Sequence, residues 1–214
     1  MALLFCFLKE QNLIFNYSII TTMINWDNKN LADILKNGGV AVIPTDTIYG
    51  LVGQAHKVAT VNRIYNLKKR KPEKPCIILI GSLKQLEEFS VNLTKEQKNK
   101  LKEYWSFNSF QDLRPTSIIF DCEDESFAYL HRGTKTLAFR FPASQDLQNL
   151  IIKTGPLIAP SANPEGLSPA QNITEAKKYF GGSVDFYLDG GTITNKASKL
   201  IKLHKDGSIT ILRE

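Results

Sequence analysis

Short apolar runs that stop at a proline, a glycine or a polar loop, separated by helix-length segments, govern what this chain can fold into. Val40-Ala41-Val42-Ile43 ends at Pro44, Cys76-Ile77-Ile78-Leu79-Ile80 at Gly81, and Leu157-Ile158-Ala159 at Pro160. Apolar runs without polar alternation mark strands covered on both faces. Further strands are expected at Ser117–Phe120, Leu137–Phe141, Val184–Leu188, Leu200–Leu203 and Ile209–Leu212, the last two joined by the Lys205-Asp206-Gly207 turn. Between them lie helix signals. Asp27 or Asn28 caps a helix to about Asn37, with Leu31, Ile34 and Leu35 on one face and Gly38-Gly39 ending it. Others run from Thr60 to Lys69, from the Ser82 cap to Phe89, and from the Thr94/Gln97 capping box to about Tyr104. Two more open at Ser144, ending near Gly155, and at Thr174, ending at Phe180. This alternation predicts an α/β fold, an open twisted mixed sheet with flanking helices. No repeat or linker divides it, so residues 23–214 are expected to form one domain.

The first 22 residues stand apart. Leu3-Leu4-Phe5-Cys6-Phe7-Leu8 is apolar, but Lys9 and Glu10 interrupt it and no basic region precedes it. That is too short for a membrane span and the wrong shape for a signal peptide. Met23 directly precedes the first helix signals, so translation is expected to start there, leaving residues 1–22 as an extension without an assigned role. Cys6, Cys76 and Cys122 are far apart and form no CxxC, which excludes a zinc knuckle or a disulfide framework and suits a reduced, cytoplasmic setting. The net charge of +6 fits polyanionic partners such as nucleotides or RNA, and equally fits a solvated lysine-rich surface.

Four segments place polar groups directly after apolar strands, where open sheets hold ligands. Pro44-Thr45-Asp46-Thr47-Ile48-Tyr49-Gly50-Leu51 offers hydroxyls and a carboxylate, either to a ligand or to its own turn. Lys68-Lys69-Arg70-Lys71-Pro72-Glu73-Lys74-Pro75 concentrates cations that suit a triphosphate, or that simply dress a helix C-terminus. Pro160-Ser161-Ala162-Asn163-Pro164-Glu165-Gly166 is small and polar enough for backbone amides to approach a phosphate. In Phe139-Arg140-Phe141 the arginine points opposite to its aromatic neighbours, out of the apolar layer. The chain holds no GxxxxGK[ST], HExxH or GxSxG, and His56, His131 and His204 share no ligand spacing. Metal-cage and covalent-serine chemistry therefore find no motif here. The carboxylates Asp121, Glu123, Asp124 and Glu125 read as a solvated loop.

Taken together, PTDTIYGL, LKKRKPEKPCIIL, LAFRFP, APSAN-PEG and SKLIKL ending in ILR resemble the YrdC-like threonylcarbamoyl-AMP synthases, in their single-domain form, from about Leu31 to Glu214. The resemblance implies a YrdC-like fold with a basic concave groove. It implies synthesis of threonylcarbamoyl-AMP and pyrophosphate from L-threonine, bicarbonate and ATP, with Mg²⁺ arriving on the nucleotide. The product would serve N6-threonylcarbamoyladenosine formation at position 37 of tRNA, through downstream threonylcarbamoyl-transferase proteins and with no membrane involved.

By motif position, the resemblance makes Lys68 and Arg70 the catalytic pair on the triphosphate. It assigns Lys74, Ser161, Asn163 and Arg213 to ATP as well, and Thr45, Arg140 and Ser198 to threonine. Where the family carries Pro-Gly-Pro-hydrophobic-Thr this chain reads Leu113-Arg114-Pro115-Thr116-Ser117, and Ser168 and Lys199 also depart from the pattern, so Ser117, Ser168 and Lys199 receive no role. Two other readings fit the residues. One is a non-catalytic module of the same fold that binds tRNA or double-stranded RNA. The other is a carbamoyl-transfer relative of larger hydrogenase-maturation proteins, whose zinc-finger and acylphosphatase-like regions this chain lacks.

Overall fold

The computed structural model describes residues 24, 26, 28–105 and 115–214. The expectations for residues 1–22, Met23, Asp27, Cys6, Leu113 and Arg114 lie outside them. Helix α1 (Lys29–Lys36) is capped by Asn28, whose side chain accepts from the Asn30 amide at 3.0 Å, and it buries Leu31, Ala32 and Leu35. Gly38 follows at φ +88°, a conformation that a Cβ would oppose. Then come β1 (Val40–Ile43), β2 (Gly50–Gln54), α2 (Val58–Lys68), β3 (Ile77–Leu79), a 3₁₀ segment (Leu83–Phe89) and α3 (Lys95–Tyr104). Next are β4 (Thr116–Asp121), a 3₁₀ turn (Glu125–Phe127) running into α4 (Ala128–His131), β5 (Thr136–Arg140), α5 (Gln145–Thr154) and β6 (Leu157–Ile158). The chain closes with α6 (Ile173–Phe180), β7 (Phe186–Tyr187), β8 (Lys199–Leu203) and β9 (Ile209–Arg213).

Several local features differ from the sequence reading, among them the short helix α4, where no element was expected. Strand β2 was not expected, because its Gly50 and Gly53 lack the β-branched signature of a strand. Gly53 is there for closeness: a Cβ would stand 2.4 Å from the Thr60 methyl of α2. The segment Leu83–Phe89 winds as 3₁₀ rather than α, and Ser82 makes no side-chain cap. Residues read as a solvated loop include a short capped turn, in which Asp124 accepts from the Ser126 amide.

The strands form one mixed sheet in the order β7-β1-β2-β6-β3-β5-β4-β8-β9, with parallel pairs β1/β7, β3/β5 and β4/β8. Alternation divides each strand between two faces. Val40, Val42, Ile78, Phe139, Ile118 and Ile201 enter the larger core, where Val61 and Ile64 of α2 pack. On the opposite face, Ala41, Ile43, Val52, Leu79 and Leu157 pack under Leu31 and Leu35 of α1 and Leu147 and Ile151 of α5. These two helices cover the β1-β2-β6-β3 half. Among the described residues no helix covers the same face over β5, β4, β8 and β9, and the site forms there.

Candidate active site

A cavity of about 530 Å³ lies over the uncovered half of the sheet, a size that suits a small-molecule ligand. Six of the nine residues singled out in the sequence line it: Thr45, Arg70, Arg140, Ser161, Ser198 and Arg213. They arrive from five different segments, so only the fold brings them together.

Thr45 closes its own loop. Its hydroxyl donates to the Ile48 carbonyl at 2.6 Å and accepts from the Thr47 amide at 3.2 Å. The same oxygen accepts from an Arg140 terminal nitrogen at 3.2 Å, so the turn role and the site role coexist. Ser198, 2% exposed, shares a 2.8 Å hydrogen bond with Ser117, which the sequence had left without a role. Arg213 donates twice to the Ser198 carbonyl, at 2.8 and 3.0 Å, which ties the last strand to the start of β8. Arg70 donates to the carbonyls of Lys74 and Pro75, which aims the end of the basic segment at the cavity.

Lys68, Lys74 and Asn163 do not line the cavity. Lys68 is 1% exposed, and its ammonium donates to the carbonyls of Ser161 and Asn163 and to the Asn163 side-chain oxygen, at 2.5, 2.6 and 3.2 Å. It sits behind the Ser161–Asn163 loop because Lys69 between it and Arg70 takes a left-handed conformation, φ +50°, and reverses the chain. Asn163 spends its amide nitrogen on the Leu167 and Pro164 carbonyls, at 2.6 and 3.0 Å. Lys74 pairs with Glu165 at 2.6 Å, and that hydrogen bond holds the Glu165 carboxyl below the usual carboxylate range.

Thr47, Thr134, Thr136, Ile119 and Cys76 also line the cavity and were not singled out as site residues. The signal for Thr136 was present: it lies on the same face of β5 as Arg140, four residues earlier. Cys76 is buried as expected, and burial pushes its thiol up.

Among the described residues the lining holds three arginines and no Asp or Glu. Burial, and after it the Arg140 charge, push the Arg213 guanidinium below its usual value. A guanidinium buried in this way favours an anionic ligand beside it.

A family model described as "Telomere recombination", covering the Sua5, YciO and YrdC proteins, matches residues 33–214. The chain belongs to this family. Its sheet and helices are those of Sua5: it superposes on the crystal structure of Pyrococcus abyssi Sua5 complexed with L-threonine with a TM-score of 0.74 and 26% identity, over 86% of this chain and 52% of that one. Among curated relatives, a threonylcarbamoyl-AMP synthase of Pyrococcus abyssi is 28% identical over 78% of this chain, which spans about half (47%) of that protein's length. A threonylcarbamoyl-AMP synthase of Nitrosococcus oceani is 29% identical, over 78% of this chain and 88% of the relative.

Proposed function

We propose that this chain is an L-threonylcarbamoyladenylate synthase that makes threonylcarbamoyl-AMP and pyrophosphate from L-threonine, bicarbonate and ATP. The observation that carries this reading is the meeting of Arg70, Arg140 and Arg213 on one cavity, with no acidic residue among the described residues that line it. Threonine's amine condenses with bicarbonate, releasing water, to give a carbamate, whose oxygen attacks the α-phosphorus while pyrophosphate leaves. Two anions must approach, so charge neutralisation and positioning are the catalytic work, and no covalent protein nucleophile is needed. Arg70 and Arg213 neutralise the polyphosphate, with Ser161 beside it. Arg140, Thr45 and Ser198 take the amino-acid end. Lys68, Asn163 and Lys74 act from behind, by fixing the Ser161–Asn163 loop and the basic segment. Mg²⁺ would enter as part of the Mg·ATP substrate, held largely by phosphate oxygens, and the described lining residues would add hydroxyls. The product is passed to threonylcarbamoyl-transferase proteins acting on tRNA in the cytoplasm; among the described residues no helix is long and apolar enough to cross a membrane.

Pyrophosphate release with ATP, bicarbonate and each amino acid in turn tests the reading. Threonine should support turnover, and serine less, since a buried methyl contributes roughly 1–3 kcal/mol of discrimination. Salt-sensitive RNA binding without any amino-acid-dependent pyrophosphate release would replace the synthase with a binding module.

A further inference from the structure

The three arginines of the cavity differ in their company. Among the described residues, Arg140 alone of the three pairs with a carboxylate: its terminal nitrogen lies 3.1 Å from Oδ1 of Asp46, with side-chain exposures of 5% and 2%. Arg70 and Arg213 donate to backbone carbonyls instead, which leaves their charge uncompensated at contact distance. The Asp46 Oδ1 contact is off the angle of a hydrogen bond, so it acts through charge, while Oδ2 is anchored by the Ala143 amide at 3.3 Å. The Arg140 Nε is buried and makes no hydrogen bond among the described residues. Asp46 itself does not line the cationic cavity. It faces a smaller neighbouring cavity of about 230 Å³, walled by Trp26, Leu147, Ile193 and Thr194.

The cavity is therefore electrically graded. Arg140 is neutralised from behind, whereas Arg70 and Arg213 keep full positive charges. A polyphosphate gains with each uncompensated cation, whereas an amino-acid zwitterion has no net charge and is held by hydrogen-bond geometry. We propose that Asp46 sorts the two substrates: by neutralising Arg140 it reserves that arginine for the zwitterionic amino acid and directs the polyphosphate to Arg70 and Arg213. This rests on the synthase reading above. Asp46 touches neither substrate; it is a positioning and specificity residue that acts through Arg140.

The test is Asp46→Asn in the full chain, with adenylate product followed by chromatography and tripolyphosphate as the inhibitor. In the wild type, tripolyphosphate should compete with ATP and not with threonine. In Asp46→Asn the KM for threonine should rise at least about tenfold, the KM for ATP should stay within about twofold, and tripolyphosphate should now compete with threonine. A variant with wild-type threonine KM and an unchanged inhibition pattern overturns the inference. Should Asp46→Asn fail to fold by circular dichroism, the wild-type pattern decides alone: competition with ATP only supports the sorting, and competition with both substrates overturns it. A wild-type protein that forms no threonine-dependent adenylate sinks the synthase reading and this inference together, whereas a silent variant sinks the inference only.

Discussion

Lys68 and Arg70 stand two positions apart in one basic run, and the fold treats them oppositely. Lys68 is fully enclosed by three oxygen acceptors, and burial, then the Arg70 charge, lower its pKa to about 8. Arg70 reaches the cavity and is only partly buried. Removing the lysine leaves buried carbonyls without a donor, at roughly 1–3 kcal/mol for an unsatisfied group. Lys68→Met should therefore lose about 2–4 kcal/mol in chemical denaturation, with activity falling through the displaced Ser161–Asn163 loop. Arg70→Ala removes a charge-assisted contact and should raise the KM for ATP about tenfold or more, while the denaturation midpoint stays close to wild type. Equal stability losses in the two variants would contradict this division. The sequence showed the cations but could not distinguish these roles. Both are basic residues in one segment, and the single left-handed residue between them decides which faces inward.

Helix α3 shows how a local signal acquires a distant consequence. Its capping box was legible in the sequence, and both halves form: Thr94 accepts from the Gln97 amide at 3.1 Å and the Gln97 side chain accepts from the Thr94 amide at 3.0 Å. Beyond the box, the Thr94 hydroxyl donates to the Lys205 carbonyl and the Gln97 amide nitrogen donates to the Leu203 carbonyl, at 2.8 and 3.2 Å. The helix start thus pins the β8–β9 hairpin, and β9 ends in Arg213. Thr94→Ala should lose about 1–2 kcal/mol in a urea titration, the upper part of the usual capping range because the hairpin contact goes too. Glycines hid an element in the opposite way. Gly53 made β2 look like loop, although its missing side chain is what lets α2 lie against the strand.

For the whole molecule, Lys68 links stability to pH. The unfolded lysine titrates near ~10.4, above its folded value, so between these pH values the unfolded state binds more protons. Stability owed to this group is thus full above the unfolded pKa and is lost as pH falls through about 8. The stability difference between wild type and Lys68→Met should accordingly widen as pH rises from about 8 to about 10, by up to roughly 3 kcal/mol. A constant difference across that window would mean that the ammonium is not held as described. By itself the sequence determined the alternation of strands and helices, most of the caps, and the segments whose residues line the cavity, because periodicity, capping side chains and clustered charge are local properties. Tertiary structure alone decided that α1 and α5 cover only half of one sheet face, that six residues from five segments meet in the remaining gap, and that Lys68 and Asn163 stand behind it. Sheet order and the direction of each side chain are set by packing between distant segments, which no local pattern encodes.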